Sequence, residues 1–182
     1  MANNFKQSKT YENLQKSFER EMQESSKYLI YGEKARQDGY EQIGNVFEDT
    51  ARTDRAHGEI WFKLLNNGQM PSTLENLEES YNYKCCEWTD MYIDYATTAR
   101  AEGYPDIANL FNQVAHIEML HDYKFDNMAE NIRNNQVFCK DNKVAWVCLS
   151  CGNLVWNECA PEICPVCGYP RGYHQLNGGN YY

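Results

Sequence analysis

The chain has 182 residues, with 17 Lys and Arg against 26 Asp and Glu, a formal net charge of −9. That length suits one large domain or a domain plus a small module, and the acidic balance argues against binding a phosphate backbone, which needs a basic face. Mean hydropathy is −0.75, and no apolar run approaches the ~20 residues of a membrane-spanning helix. The opening MANNFKQSKTYENLQ lacks the apolar stretch of a signal peptide. Neither nucleic acid nor membrane is an expected partner, and the cytoplasm is the expected compartment.

Residues up to about 135 read as helix. The first segment runs from about Tyr11 to Asp38 and stops at Gly39; the second runs from about Glu41 to Leu65, where Asn66, Asn67 and Gly68 end it with residues that tolerate a left-handed backbone. The third opens on Ser72 and Glu75, a capping box in which each side chain bonds the other's backbone N–H, and runs to Glu102 before Gly103. The fourth carries Pro105 in its first turn, where the missing N–H costs nothing, and ends near Asn131–Asn135. Four long helices with short connections predict a four-helix bundle over residues 1–137.

The helical part repeats itself at an offset of 64 residues. Gly39 and Tyr40 fall on Gly103 and Tyr104, Phe47 on Phe111, Ala51 on Ala115, Asp54 on Glu118, and His57 on His121; upstream, Tyr28, Tyr31 and Ala35 fall on Tyr92, Tyr95 and Ala99. Two helix pairs of one pattern predict a pseudo-twofold arrangement in which the second and fourth helices present equivalent residues.

After Val137 the pattern changes to short apolar runs broken by Cys, Gly and Pro, the signature of β-ribbon and turns, and residues 143–182 read as a separate small module. So short a segment buries little core and needs a staple. Cys148 and Cys151, then Cys164 and Cys167, form two C-x-x-C pairs that predict a tetrahedral four-thiolate site, for which zinc and iron are both suitable. Cys139 and Cys159 fall outside both pairs and read as spare small hydrophobes; Cys85 and Cys86 are adjacent and cannot easily bridge each other.

Four histidines are present, and two sit in matched motifs: Asp54 with His57, and Glu118 with His121. Residues three apart project from one helix face. A pair of carboxylate-x-x-His motifs, with a Glu from each remaining helix, builds the di-iron and di-manganese sites of helical bundles. The first helix offers Glu19, Glu21 and Glu24, the third Glu87.

The residues 146–152, WVCLSCG, with 160–168, APEICPVCG, resemble a rubredoxin module of the compact kind found at the C-terminus of rubrerythrins. The resemblance to the rubrerythrin family covers nearly the whole chain. The family's Phe-x-x-Glu-x-Gln looks like Phe18 to Gln23 and selects Glu21; its second-helix pattern resembles Val46 to His57; its third-helix pattern lies on Lys84 to Tyr92; its fourth resembles Ile107 to Phe111 with Glu118 and His121. The chain departs at two positions, with Asp54 and Lys84 where the family has Glu. Asp reaches less far, and a protonated Lys has no lone pair for a metal.

The resemblance implies a ferritin-like four-helix bundle followed by a rubredoxin-like β-ribbon, with iron in both. It implies bundle ligands Glu21, Asp54, His57, Glu87, Glu118 and His121, with the Glu87 position and His57 exchanging roles on redox change, and Tyr28 and Tyr92 beside them. Lys84 leaves one ion, or another divalent metal, as an alternative occupancy. It implies reduction of hydrogen peroxide, electrons returned through the four-thiolate iron from a reductase or rubredoxin, and a homodimer in which one subunit's ribbon approaches the other's bundle, or a higher homo-oligomer. Two alternatives stand beside this: a metal-binding or storage protein, and a degenerate homologue whose binuclear site Lys84 has impaired.

Overall fold

The computed structural model describes residues 4–178, with the side chains of 83–86 left aside. The expectations for Lys84, Cys85 and Cys86 therefore lie outside the described residues. The chain is mostly helical and ends in a small antiparallel sheet, the fold class expected from the sequence. It forms two compact units, Met1–Pro71 and Ser72–Tyr182.

The first unit is a helical hairpin, α1 (Lys9–Gln37) and α2 (Glu41–Leu65). The first helix starts two residues before the expected Tyr11 because Ser8 caps it, its hydroxyl accepting from Tyr11 N–H at 3.1 Å. The turn between the helices depends on Gly39 at φ +86°, with Tyr40 N–H donating to Ala35 C=O at 2.8 Å. Small residues line the seam: Gly32, Ala35, Gly44, Ala51 and Gly58 are buried. Ser25, also buried, donates its hydroxyl to Ala51 C=O at 2.8 Å and ties the helices together.

In the second unit, α3 (Thr73–Cys86) is followed by a π-helical turn (Glu87–Met91) and α4 (Tyr92–Ala101), and this composite packs on α5 (Pro105–Arg133). The expected single third helix is thus interrupted. The capping box is present: Ser72 N–H donates to Glu75 Oε2 at 2.7 Å, and Glu75 N–H to Ser72 Oγ at 3.2 Å. Ala96, Ala99 and Ala108 form a buried cluster with Phe111 against it.

The repeat holds at the level of geometry. Tyr104 N–H bonds Ala99 C=O at 2.8 Å, as Tyr40 bonds Ala35. The rings of Tyr28, Tyr31 and Phe47 have centroid separations of 6.2, 5.9 and 5.7 Å; those of Tyr92, Tyr95 and Phe111 have 6.3, 6.0 and 5.6 Å.

The C-terminal sheet has strands β1 (Cys139–Cys148), β2 (Leu154–Cys159) and β3 (His174–Leu176) in the order β2-β1-β3, all antiparallel. The ladder pairs Val144 with Asn157 through Val147 with Leu154, and its register breaks between Val144 and Cys139. Its core is small: Trp146, Cys148, Ala160 and Cys164 are almost fully buried, and the Trp146 indole donates to Asn157 C=O at 3.1 Å. The reading of Cys139 and Cys159 as spare hydrophobes is corrected here. They face each other across the broken register and form a disulfide.

Candidate metal centres

The four ribbon cysteines converge from two knuckles of one design. Cys148 N–H donates to Asn153 C=O at 2.9 Å and Gly152 N–H to Cys148 C=O at 2.8 Å; in the second knuckle Cys164 N–H donates to Tyr169 C=O at 2.8 Å and Gly168 N–H to Cys164 C=O at 3.0 Å. Gly152 and Gly168 have φ of +74° and +76°, a conformation that a Cβ would strain. This geometry carries Cys148 Sγ to 3.7 Å from Cys167 Sγ, and Cys151 Sγ to 3.7 Å from Cys164 Sγ. A regular tetrahedron with metal–sulfur bonds of ~2.3 Å has edges of about 3.8 Å. The cluster therefore fits a four-thiolate metal as it stands.

Electrostatics inside the cluster agree. Cys164 is lowered to about 6, chiefly by the Cys167 backbone N–H aimed at its sulfur, with Val166 N–H adding to it against the opposing effect of desolvation. Cys151 is helped down by Asn153 N–H, but hydrogen bonding with Cys167, desolvation, and the Cys164 and Cys148 sulfurs outweigh that donor and push it up to about 12. Backbone N–H donors thus favour the ionised form at Cys164, the neighbouring sulfurs favour the protonated form at Cys151, and binding a metal ion draws the remaining protons off the cluster.

On the first hairpin, Glu21 from α1 meets Asp54 and His57 from α2, with one donor atom of each within 4.8 Å of the others. Antiparallel packing brings Glu21 level with Asp54 and His57. Gly58, next in sequence, makes room: a Cβ there would stand 2.8 Å from Met22 Sδ and 3.8 Å from Glu21 Cβ. His57 Nδ1 lies 3.5 Å from Glu21 Oε2. On the second hairpin His121 Nδ1 lies 3.0 Å from Glu118 Oε2. Adjacent donors about 2.1 Å from one octahedral cation are about 3.0 Å apart; the second-hairpin pair stands at that spacing and the first-hairpin pair is wider. Oxygen and imidazole donors in this mixture suit Fe2+ and Mn2+. Among the described residues, no third His, Cys, Asp or Glu joins Glu118 and His121 in such a group. Glu87 is half-buried in the π-turn. Tyr28 and Tyr92 are half-buried in their respective ring trios.

The sequence reading passed over one buried charge. Asp122 is 3% exposed; its Oδ2 accepts from the Trp88 indole at 3.0 Å, and its Oδ1 is buried with no hydrogen-bond partner among the described residues. It tethers the residue after Glu87 to the residue after His121. The repeat carries a faint signal of it, because Asp122 falls on Gly58.

A mostly helical chain with paired carboxylate–histidine motifs and a terminal four-cysteine ribbon belongs to the non-haem metal proteins. The rubrerythrin family model matches residues 12–129. Rubrerythrin-1 of Clostridium acetobutylicum is 35% identical, over 97% of this chain and 98% of that protein, and rubrerythrin of Nitratidesulfovibrio vulgaris is 34% identical, over 97% and 98%. The fully reduced, all-ferrous structure of nigerythrin is 26% identical, covering 97% of this chain and 91% of that one at a TM-score of 0.35. This chain belongs to the rubrerythrin family. Membership implies an oxidoreductase that uses iron. Among the described residues, no helix is long and apolar enough to cross a membrane.

Proposed function

We propose that this protein is a peroxide reductase. Hydrogen peroxide takes two electrons and two protons and leaves as two molecules of water. The reaction site is a di-iron centre held by Glu21, Asp54, His57, Glu87, Glu118 and His121 in a bundle over residues 1–137. In the ribbon over residues 143–182, Cys148, Cys151, Cys164 and Cys167 would hold iron, which would supply one-electron transfer. When bound, iron supplies the redox equivalents that cleave the O–O bond. The chain's own residues fix the donors. Glu118 and Glu21 each hold a histidine ring facing a carboxylate oxygen, and the Trp88–Asp122 bond anchors the turn that carries Glu87. Tyr28 and Tyr92 flank the ligands as hydrogen-bond donors. The active form is a homodimer or larger homo-oligomer, served in the cytoplasm by a reductase or rubredoxin.

The observation that carries this reading is the coexistence, in one rubrerythrin-family chain, of a four-thiolate cluster at tetrahedral spacing and a carboxylate–imidazole group. Anaerobically reduced protein mixed with hydrogen peroxide or with oxygen in a stopped-flow instrument decides it. Faster oxidation by peroxide, with return of the ferric-thiolate colour, is expected; equal or faster oxidation by oxygen rejects the reading.

A second reading, a protein that binds or stores metal with a single bundle ion, is favoured by the two-residue group on the second hairpin and by Lys84 in place of the family's Glu. It gives one bundle metal per chain on elemental analysis and no peroxide turnover.

A further inference from the structure

The π-turn changes which residues of the two hairpins correspond. Helix α1 is α-helical throughout, whereas the matching stretch of the second hairpin contains the π-turn Glu87–Met91. An i→i+5 bond encloses one residue more than an i→i+4 bond, so a π-turn takes up a one-residue insertion within an α-helix. On its C-terminal side the offset between the hairpins is 64, as the two ring trios show. On its N-terminal side the extra residue drops out and the offset becomes 63. Leu14 then falls on Leu77, Phe18 on Tyr81, Glu21 on Lys84, and Glu24 on Glu87. An offset of 64 would set Glu21 on Cys85 and Gln23 on Glu87.

Glu24 thus occupies, on the first hairpin, the position that Glu87 occupies on the second. It is three residues from Glu21 and on the same helix face. Its side chain is 28% exposed, close to the 25% of Glu21, whereas Arg20 is 74% exposed. The following residue, Ser25, is pinned to Ala51 C=O, which holds this turn of α1 beside the turn of α2 that leads to Asp54. The partner Glu24 has is Arg20, four residues back on the same helix at the surface, and an ion pair of that kind is weak enough to be exchanged for a metal.

We propose that Glu24 is an additional carboxylate ligand of the divalent metal held by Glu21, Asp54 and His57, the first-hairpin counterpart of Glu87. The inference rests on the metal-site reading above. With it, the donor set of the first hairpin becomes three carboxylates and one imidazole.

Mn2+ is the probe, because thiolates bind it poorly and the ribbon stays out of the measurement. Full-length protein with its ribbon already loaded is titrated anaerobically with Mn2+, free ion being counted by electron paramagnetic resonance; circular dichroism confirms helicity. Glu24→Gln is expected to weaken binding at least tenfold and to alter the bound-ion spectrum. Glu19→Gln, on the exposed side of the same turn, leaves affinity unchanged, and Arg20→Gln leaves it unchanged or tighter. If Glu24→Gln binds as wild type does while Glu21→Gln fails, the proposal is wrong and the site reading stands. If Arg20→Gln loses as much as Glu24→Gln, the ion pair is structural and the proposal is again wrong. A wild type that takes up no Mn2+ overturns both.

Discussion

Replacing Cys139 and Cys159 together by Ser removes the covalent link between the start of β1 and the end of β2. The two cysteines are 20 residues apart. A cross-link closing a loop of that length removes about 11 cal/mol/K of chain entropy from the unfolded state, about 3 kcal/mol at 25 °C. The native ladder is weak at that end, because its register is interrupted between Val144 and Cys139 and resumes only at the Cys139–Cys159 pair, next to the bond from Ala160 N–H to Phe138 C=O at 2.8 Å. Cys148 and Cys151 lie inside the loop, and Cys164 and Cys167 outside it. A bound metal therefore cross-links the same stretch, and the disulfide's remaining effect shrinks. The metal-free double variant should exchange its β1 and β2 amides about a hundredfold faster than wild type, and the metal-loaded variant much less so. Hydrogen exchange without thiol reductant measures both. Alkylation of denatured, metal-stripped wild type should modify six of its eight cysteines, the disulfide withholding two. Eight modified cysteines, or exchange within threefold of wild type in the metal-free state, would refute the reasoning.

Lys84→Glu should bring the bundle's metal content toward two ions per chain by elemental analysis and raise peroxide turnover; no change in either shows that Lys84 does not impair the site. The Glu75 carboxyl is held below its ordinary value of 4.5, first by hydrogen bonding to the Ser72 side chain and then to its backbone. A lowered folded-state value means that the capping box stabilises α3 fully above the ordinary value and loses that contribution as pH falls through the depressed one. Helicity followed by circular dichroism from pH 6 downward should therefore fall less steeply below about 4.5 in Glu75→Gln than in wild type, and identical slopes would assign the acid transition elsewhere.

Most helix ends governed by a local rule were legible, the start of α1 at its Ser8 cap being the exception. Glu41–Leu65 was read with its observed bounds, because Gly39 and the Asn66–Gly68 stop act through the backbone alone. The ribbon thiolates were legible for the same reason, since a knuckle is a local turn. The Cys139–Cys159 bond was not. It depends on a register break that places residues 140–143 of one strand against residue 158 alone of the other, and no alternation pattern encodes that. The π-turn left its trace upstream of Tyr28, where Leu14, Phe18 and Glu24 match Leu77, Tyr81 and Glu87 at an offset of 63 and not of 64. Propensity is silent about it, because the residues Glu87–Met91 suit an α-helix equally well.

The same turn explains how a near-symmetric scaffold carries unequal ligands. The ring trios and the Ala35 and Ala99 caps match within about 0.1 Å, so the packing that sets helix spacing is the same in both hairpins. Differences begin one turn before Tyr92. There the first hairpin needs Gly58 to admit Met22, while the second fills the matching position with Asp122 and spends its buried carboxylate on Trp88. A single inserted residue rotates everything N-terminal to it by about 100° on a helix, and the π-turn absorbs that rotation locally. On the metal-site reading proposed above, substitutions at Glu21, Glu24, Lys84 and Glu87 are expected to change metal affinity, and those in the buried cluster of Ala96, Ala99 and Ala108 to change helix packing.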